Sequence, residues 1–258
     1  MNKPQVESLI YKVIFSKDVD YDKAPPLKVE TNHFICTIDQ GKAAFEMKTH
    51  FQKEVEAKKV TDDFLKMCTV YWNTLNYLNE ITFSFQKAKI IDLEPEKSNS
   101  VNLSANITMH LSCEADIHIS RAKFPSVPQD FTLSPDIETI FNRYKGYLDN
   151  REKLTSMAFF CLTVLEQGHG RKERIKIEKK YQIELAVLNK WGELVSEKGS
   201  ETEARKAIKN NAFTPLTNKE QKWLLDLIKK IIIRLGNYTY NPSQTFPKIT
   251  LNDLPDLS

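Results

Sequence analysis

The sequence has few glycines, few cysteines and no long apolar run, and each shortage excludes a class of protein. Only 7 glycines occur in 258 residues, so a fold built on repeated tight backbone approaches is not expected. The 4 cysteines form no Cys-x-x-Cys pair, which argues against a disulfide scaffold and a zinc cluster. The longest uncharged apolar stretch, Leu154 to Leu165, is too short to cross a bilayer. We therefore predict a globular protein with no membrane partner.

The amino-terminal residues lack the basic start and apolar core of a secretory signal peptide. This favours a cytoplasmic, reducing location. In such a compartment isolated cysteines are usually small buried hydrophobic residues. The sequence shows no cofactor signature, and we expect none.

The first part of the chain has strand character. Ser8–Ser16 is rich in β-branched and aromatic residues and predicts a strand, followed by a loop over Lys17–Pro26. His33–Ile38 and Lys42–Lys48 predict a hairpin, because Gly41 can adopt the positive φ that its turn requires.

A helical period then interrupts the strands. Apolar residues from Val60 to Leu78 recur with 3.6-residue spacing, and the helix could begin as early as Gln52. Ile81–Leu93 returns to alternation, with a bulge expected at Gln86-Lys87. Ala105–Ser120 alternates strictly and predicts a long strand with one buried face. The half therefore predicts a mainly antiparallel sheet packed on one long helix.

The second part of the chain is predicted to be entirely helical, which makes the fold class α+β. Ser134 with Pro135 begins a helix ending near Leu148, and Lys153–Gln167 is apolar nearly all round, as expected for a central helix. Further helices follow at Arg171–Lys180, Leu185–Val195 and Asn218–Leu235, where Gly236 is expected to end the last. Capping boxes are expected at Ser200 with Glu203 and at Thr217 with Glu220.

These elements suggest a division into four segments. Residues 1–122 form a β-rich α+β domain, and 123–133 form a linker that contains two prolines. Residues 134–236 form a helical domain, and 237–258 form an extended tail rich in Asn, Pro and Ser. The aromatic residues of this tail could dock on the body, on a protein partner or on a second copy of the chain.

A metal site and a cysteine nucleophile were considered, and both sets of residues are better explained as structural. His110 and His118 face one side of the predicted strand while Cys113 faces the other, and the histidines are separated by roughly 26 Å of straight strand. One metal ion cannot bridge that distance unless the chain folds back, so no metal site is predicted. Cys161 lies in the middle of an apolar helix, where a buried thiol stays protonated and unreactive.

The strongest functional hint is a local excess of positive charge. Gly168–Gly236 holds 16 Lys and Arg against 9 Asp and Glu, a net charge of +7, whereas the rest of the chain carries −4. A cationic face of this kind can neutralise nucleic-acid phosphates. The alternative is a solvated helix face with i,i+4 ion pairs. The candidate anion- or nucleic-acid-binding residues are His169, Arg171, Lys172, Arg174, Lys176, Lys179 and Lys180.

The order of elements resembles the bacterial ApeA-like proteins, in which a β-rich domain precedes a HEPN-type helical domain. The helices Ser134–Leu148, Leu154–Gln167, Leu185–Val195 and Asn218–Leu235 carry this resemblance, which is one of outline over the second half of the chain. It implies a role in phage defence. The HEPN ribonuclease motif places His five to seven residues after Arg, and no arginine here has that spacing, so the nuclease residues do not carry over.

Three functions therefore remain open from the sequence. The first is a non-enzymatic binding protein that contacts RNA, DNA or an acidic partner through the basic helices. The second is a HEPN-like ribonuclease or nucleotide-acting enzyme with His169, Arg171 and Lys172 near its site. The third is a structural subunit that assembles through its tail.

Overall fold

A computed structural model describes residues 3–15, 19–75, 81–94, 119–167, 173–198 and 214–257. The chain divides into two compact units, Met1–Val127 and Pro128–Ser258. The first unit contains a sheet and one long helix, and the second is helical, so the predicted α+β fold class is confirmed. In the described part of the chain, no helix combines the length and apolar character needed to cross a membrane.

The described residues of the first unit, here called the sheet unit, form a sheet of five strands in the order β3-β4-β5-β1-β6, with every neighbouring pair antiparallel. A separate two-residue parallel pair joins β2 to β7. Helix α1 packs on the sheet. The elements are β1 (Pro4–Ile14), β2 (Val19–Asp20), β3 (Leu27–Glu30), β4 (Phe34–Asp39), β5 (Lys42–Met47), α1 (Glu54–Leu75), β6 (Thr82–Asp92) and β7 (Ile119–Ser120).

Several local predictions for this unit are confirmed. Strands β4 and β5 form the hairpin, with Gly41 at φ 70° in its turn. In the ladder between β1 and β6, Ile10 faces Lys87 and Tyr11 faces Phe85, so Gln86 is the extra residue of the expected bulge. Strand β3 was not predicted from the sequence, and β2 lies within a segment predicted to be a loop. The predicted strand Ala105–Ser120 lies outside the described residues except for Ile119–Ser120.

The second unit, here called the helical unit, is arranged around α3 as expected from its apolar sequence. Helix α3 contacts each of the other four helices that the structure describes as α2, α4, α5 and α6. Ser134 caps α2 by accepting a hydrogen bond from the Ile137 amide, and Thr217 with Glu220 forms the predicted capping box of α6. The helices are α2 (Pro135–Leu148), α3 (Leu154–Glu166), α4 (Glu173–Tyr181), α5 (Leu185–Glu197) and α6 (Asn218–Tyr240), followed by a short 3-10 turn at Leu251–Asp253.

The prediction that Gly236 ends the last helix is wrong. Helix α6 continues to Tyr240, and Gly236 is a buried residue within it. The ring of Phe131 packs so closely against Gly236 that a Cβ atom there would overlap it. The Thr132 amide also donates to the Gly236 carbonyl. Glycine at this position therefore allows the Phe131 ring to approach the helix backbone, and it does not end the helix.

The segment that follows α6 packs against the helical unit. Phe246, Ile249 and Leu254 are buried, and Ile249 forms a parallel bridge with Ile183. Of the tail predicted to be extended, the first residues belong to α6. The proposed 123–133 linker is shared between the units, because Phe124 belongs to the core of the sheet unit and Phe131 packs on Gly236 of the helical unit.

Candidate nucleic-acid interface

Helix α4 presents one face to its neighbours and another to solvent. Ile177 and Tyr181 are buried and fix the inward side. Lys176, Lys179 and Lys180 are exposed. Because residues three and four positions apart lie on the same side of a helix, these lysines form one outward surface, here called the lysine face. Three predicted binding residues are therefore brought together.

The acidic residues of α4 do not interrupt the lysine face. Glu178 accepts a hydrogen bond of 2.7 Å from Lys248 Nζ, which lies in the segment after α6. This hydrogen bond holds the pKa of Glu178 below its ordinary value. Glu173 is partly buried at the beginning of α4, at the edge of the lysine face. The middle of the outward surface is therefore cationic.

Lys180 is held against two aromatic rings. Its Nζ atom lies 4.7 Å from the ring centre of Tyr181 and 5.5 Å from that of Tyr238. The two rings meet edge to face with their centres 4.9 Å apart. Burial lowers the pKa of Lys180, but its interactions with Tyr181, Tyr238 and Asp136 outweigh this and raise the pKa overall. Lys180 is therefore a cation at neutral pH, placed beside aromatic surface.

Arg174 lies apart from this face and joins a partly exposed hydrogen-bonded network. Its Nε donates to Glu166 Oε1 at 2.8 Å and its NH1 donates to Asn189 Oδ1 at 3.1 Å. The guanidinium also covers Gly192, where a Cβ atom would overlap it. Arg174 thus ties α4 to α3 and α5. It borders a surface cleft of about 370 Å³ whose other lining residues are Glu166, Glu173 and Ile175.

The remaining predicted binding residues, His169, Arg171 and Lys172, lie outside the described residues. So do His110, Cys113 and His118, the residues weighed for a metal site. Within the ranges that the structure describes, no three His, Cys, Asp or Glu side chains are grouped as metal ligands.

Cys161 is buried in α3, where its Sγ lies 3.7 Å from Met157 Sδ. Burial raises the pKa of its thiol to about 12, so the thiolate form needed for nucleophilic attack is not populated near neutral pH. The interpretation of Cys161 as a core residue is consistent with this environment.

Sequence reasoning missed the contributions of Tyr238 and Lys248. Both lie in the stretch that was described only as a tail with aromatic residues, far from α4 along the chain. The contact of Lys248 with Glu178 joins residues 70 positions apart. No local pattern predicts such a pairing, because it depends on how the chain folds back on α4.

Comparison with known proteins adds no functional assignment: no family model, no curated protein and no solved structure matches the chain.

Proposed function

We propose that this protein is a non-enzymatic binding protein whose helical unit contacts nucleic acid through the lysine face of α4. The observation that supports the proposal is the placement of Lys176, Lys179 and Lys180 on one exposed side of one helix. Glu178, the acidic residue nearest in sequence, is paired with Lys248. The experiments below distinguish binding of nucleic acid from binding of an acidic protein partner.

The physical basis is the release of counterions from the phosphate backbone. Each phosphate neutralised by a lysine releases condensed cations into solution, which makes binding dependent on salt. Three lysines predict a slope of roughly −2 in a plot of log affinity against log salt for a single strand. The affinity should be modest, in the range of non-specific binding, because lysine contacts to phosphates carry no sequence information.

The test measures fluorescence anisotropy of a labelled oligonucleotide at about 50 and about 200 mM salt, the range over which such binding changes strongly. The double variant K176E/K179E should lose at least about tenfold in affinity, since two contacts become repulsive. The matched control is K222E/K230E, which changes the net charge equally at exposed positions of α6. The control should retain most of the wild-type affinity.

The contradicting outcomes are distinct. An absence of binding by the wild-type chain at low salt removes nucleic acid from consideration, and an acidic protein partner would then be the occupant to seek. An equal loss in both double variants shows an effect of net charge and not of the lysine face. RNA cleavage that disappears in His169→Ala contradicts a non-enzymatic role and supports the ribonuclease alternative.

A further inference from the structure

We infer that the lysine face takes single-stranded nucleic acid, with one base stacking against Tyr238 beside Lys180. This inference rests on the proposed function and specifies the form of its ligand. The observation that supports it is the position of the Lys180 ammonium, which lies over the partly exposed ring of Tyr238 with Nζ 5.5 Å from the ring centre, at the end of the lysine face.

Single strands are bound by a combination of the two groups found here. Lysines follow the phosphates, and aromatic rings accept bases by stacking, which does not depend on sequence. In a duplex the base faces are covered by neighbouring base pairs, so an aromatic ring gains nothing from them. The lysines of α4 provide the first group, and Tyr238 of α6 provides the second.

The two tyrosines contribute differently. Tyr181 is 9% exposed and packs inside the helical unit, whereas Tyr238 is partly exposed. Tyr238 stands edge to face against Tyr181, which fixes its orientation. We therefore assign the stacking contact to Tyr238 alone.

Lys180 and Tyr238 are positioned by two helices that are tied together. Arg234 NH1 donates to the carbonyls of Tyr181 at 2.6 Å and Gln182 at 3.0 Å, and these contacts fix the end of α4 against α6. Tyr238 lies one turn after Arg234 on the same helix. Little conformational freedom is lost when a base binds to a ring that is already fixed, which favours affinity.

Asp136 provides an independent test of the location. Its carboxylate acts on the charge of Lys180 from the beginning of α2, and it should repel a phosphate bound there. We expect Asp136→Asn to tighten the binding of a single strand by roughly threefold, the size of one partly screened surface charge.

The main experiment compares three ligands on the wild-type full-length chain: a single strand, a duplex of the same length, and a single strand with the same phosphates but no bases. We expect the single strand to bind about tenfold more tightly than the other two, as one base–aromatic contact implies. Equal affinity for the single strand and the strand without bases overturns the inference. No binding of any ligand at low salt overturns the proposed function as well, so the two failures are distinguishable.

Variants of Tyr238 identify the residue. Tyr238→Phe keeps the ring and should bind like the wild type, whereas Tyr238→Leu should lose about tenfold for the single strand and nothing for the duplex. Circular dichroism checks that both variants keep the helical unit folded. Equal affinity of the two variants for the single strand would show that the ring only packs the helices together, and it would overturn the assignment to Tyr238.

Discussion

The two units of this chain differ in the charge of the polar side chains that they bury. Among the described residues, the buried polar side chains of the sheet unit are the neutral Thr61, Asn73 and Thr74. In the helical unit they include two cations, Lys229 and Arg234. The unit with the excess of positive charge therefore keeps part of that charge inside.

The net charge of a segment is therefore a poor measure of the charge on its surface. Arg174 and Arg234 contributed to the sequence excess, yet both guanidinium groups are used within the fold. Other cations of the excess, such as those of the lysine face, are exposed on the surface of α4. Interior arginine is suited to its task because its planar fork can satisfy several acceptors at once.

The largest expected effect on stability comes from replacing Arg234, the buried arginine of the helical unit. Its guanidinium donates to the carbonyls of Tyr181, Gln182 and Pro247 at 2.6 to 3.0 Å and faces the ring of Phe246 at 5.2 Å. Arg234→Met leaves these carbonyls without their donors and should cost about 4 kcal/mol in the free energy of unfolding of the helical unit. Urea denaturation measures the loss, and limited proteolysis should show cleavage after Tyr240.

Arg234→Lys serves as the control for charge. Lysine keeps the positive charge but lacks the planar guanidinium that donates to several carbonyls at once. We therefore expect Arg234→Lys to lose most of the stabilisation that Arg234→Met loses. If Arg234→Lys is as stable as the wild type, a buried cation and not its geometry holds the segment.

The neutral counterpart in the sheet unit is Asn73. Its side chain accepts a hydrogen bond of 2.8 Å from the Ile81 amide and donates one of 3.1 Å to the Ile81 carbonyl. Asn73→Ala leaves both backbone groups buried and without this partner, at a cost of about 2.5 kcal/mol. The change should appear in urea curves recorded by tryptophan emission, to which Trp72 of the same unit contributes. A cost below that of an exposed Asn32→Ala control would contradict the role assigned to this pair of bonds.

Gly236 tests the packing of the helical unit. Replacing glycine by alanine within a helix ordinarily stabilises it by about 1 kcal/mol. Here the added methyl group would overlap the ring of Phe131, so we expect a net destabilisation of about 2 kcal/mol. The double variant F131L/G236A should recover part of the loss. Stabilisation in the single variant would show that the ring moves aside freely.

The smallest expected effect concerns Lys229 and pH. Burial lowers the pKa of Lys229 to about 8, and Asp226 only partly offsets this. Below pH 8 the ammonium is charged in both states and its burial costs stability. Between about pH 8 and pH 10 Lys229 is still protonated in the unfolded chain but has lost its proton in the folded chain. The contribution of Lys229 to the free energy of unfolding therefore rises with pH.

Lys229→Met isolates that contribution. We expect the variant to be about 1 kcal/mol more stable than the wild type at pH 7, with the difference shrinking as the pH approaches 10. The sheet unit should show the reverse trend, because burial raises the pKa of Cys36 to about 12 and that of Cys68 further. Its thiols stay protonated in the fold while those of the unfolded chain ionise, and stability is lost as the pH rises above about 8.5.

Features governed by local physics were predicted correctly. The Gly41 turn, the Ser134 cap and the Thr217 capping box each depend on residues within a few positions of one another. The bulge at Gln86 lies between two strands distant in sequence, but the break in alternation within β6 indicated its position. The apolar sequence of α3 likewise indicated a helix surrounded by others. The lysine face could be predicted as a set of cations, but its separation from Arg174 could not.

Amino-acid order by itself determined the α+β class, the identity of most strands and helices, and the excess of cations in the second half. Hydrophobic periodicity and capping act over one or two turns, and they are therefore readable without a fold. The tertiary structure alone decided that Gly236 lies inside a helix, that Arg234 is internal, and that Tyr238 stands beside Lys180. These facts depend on which distant side chains meet, because packing is decided by shape and distance between segments that sequence separation does not encode.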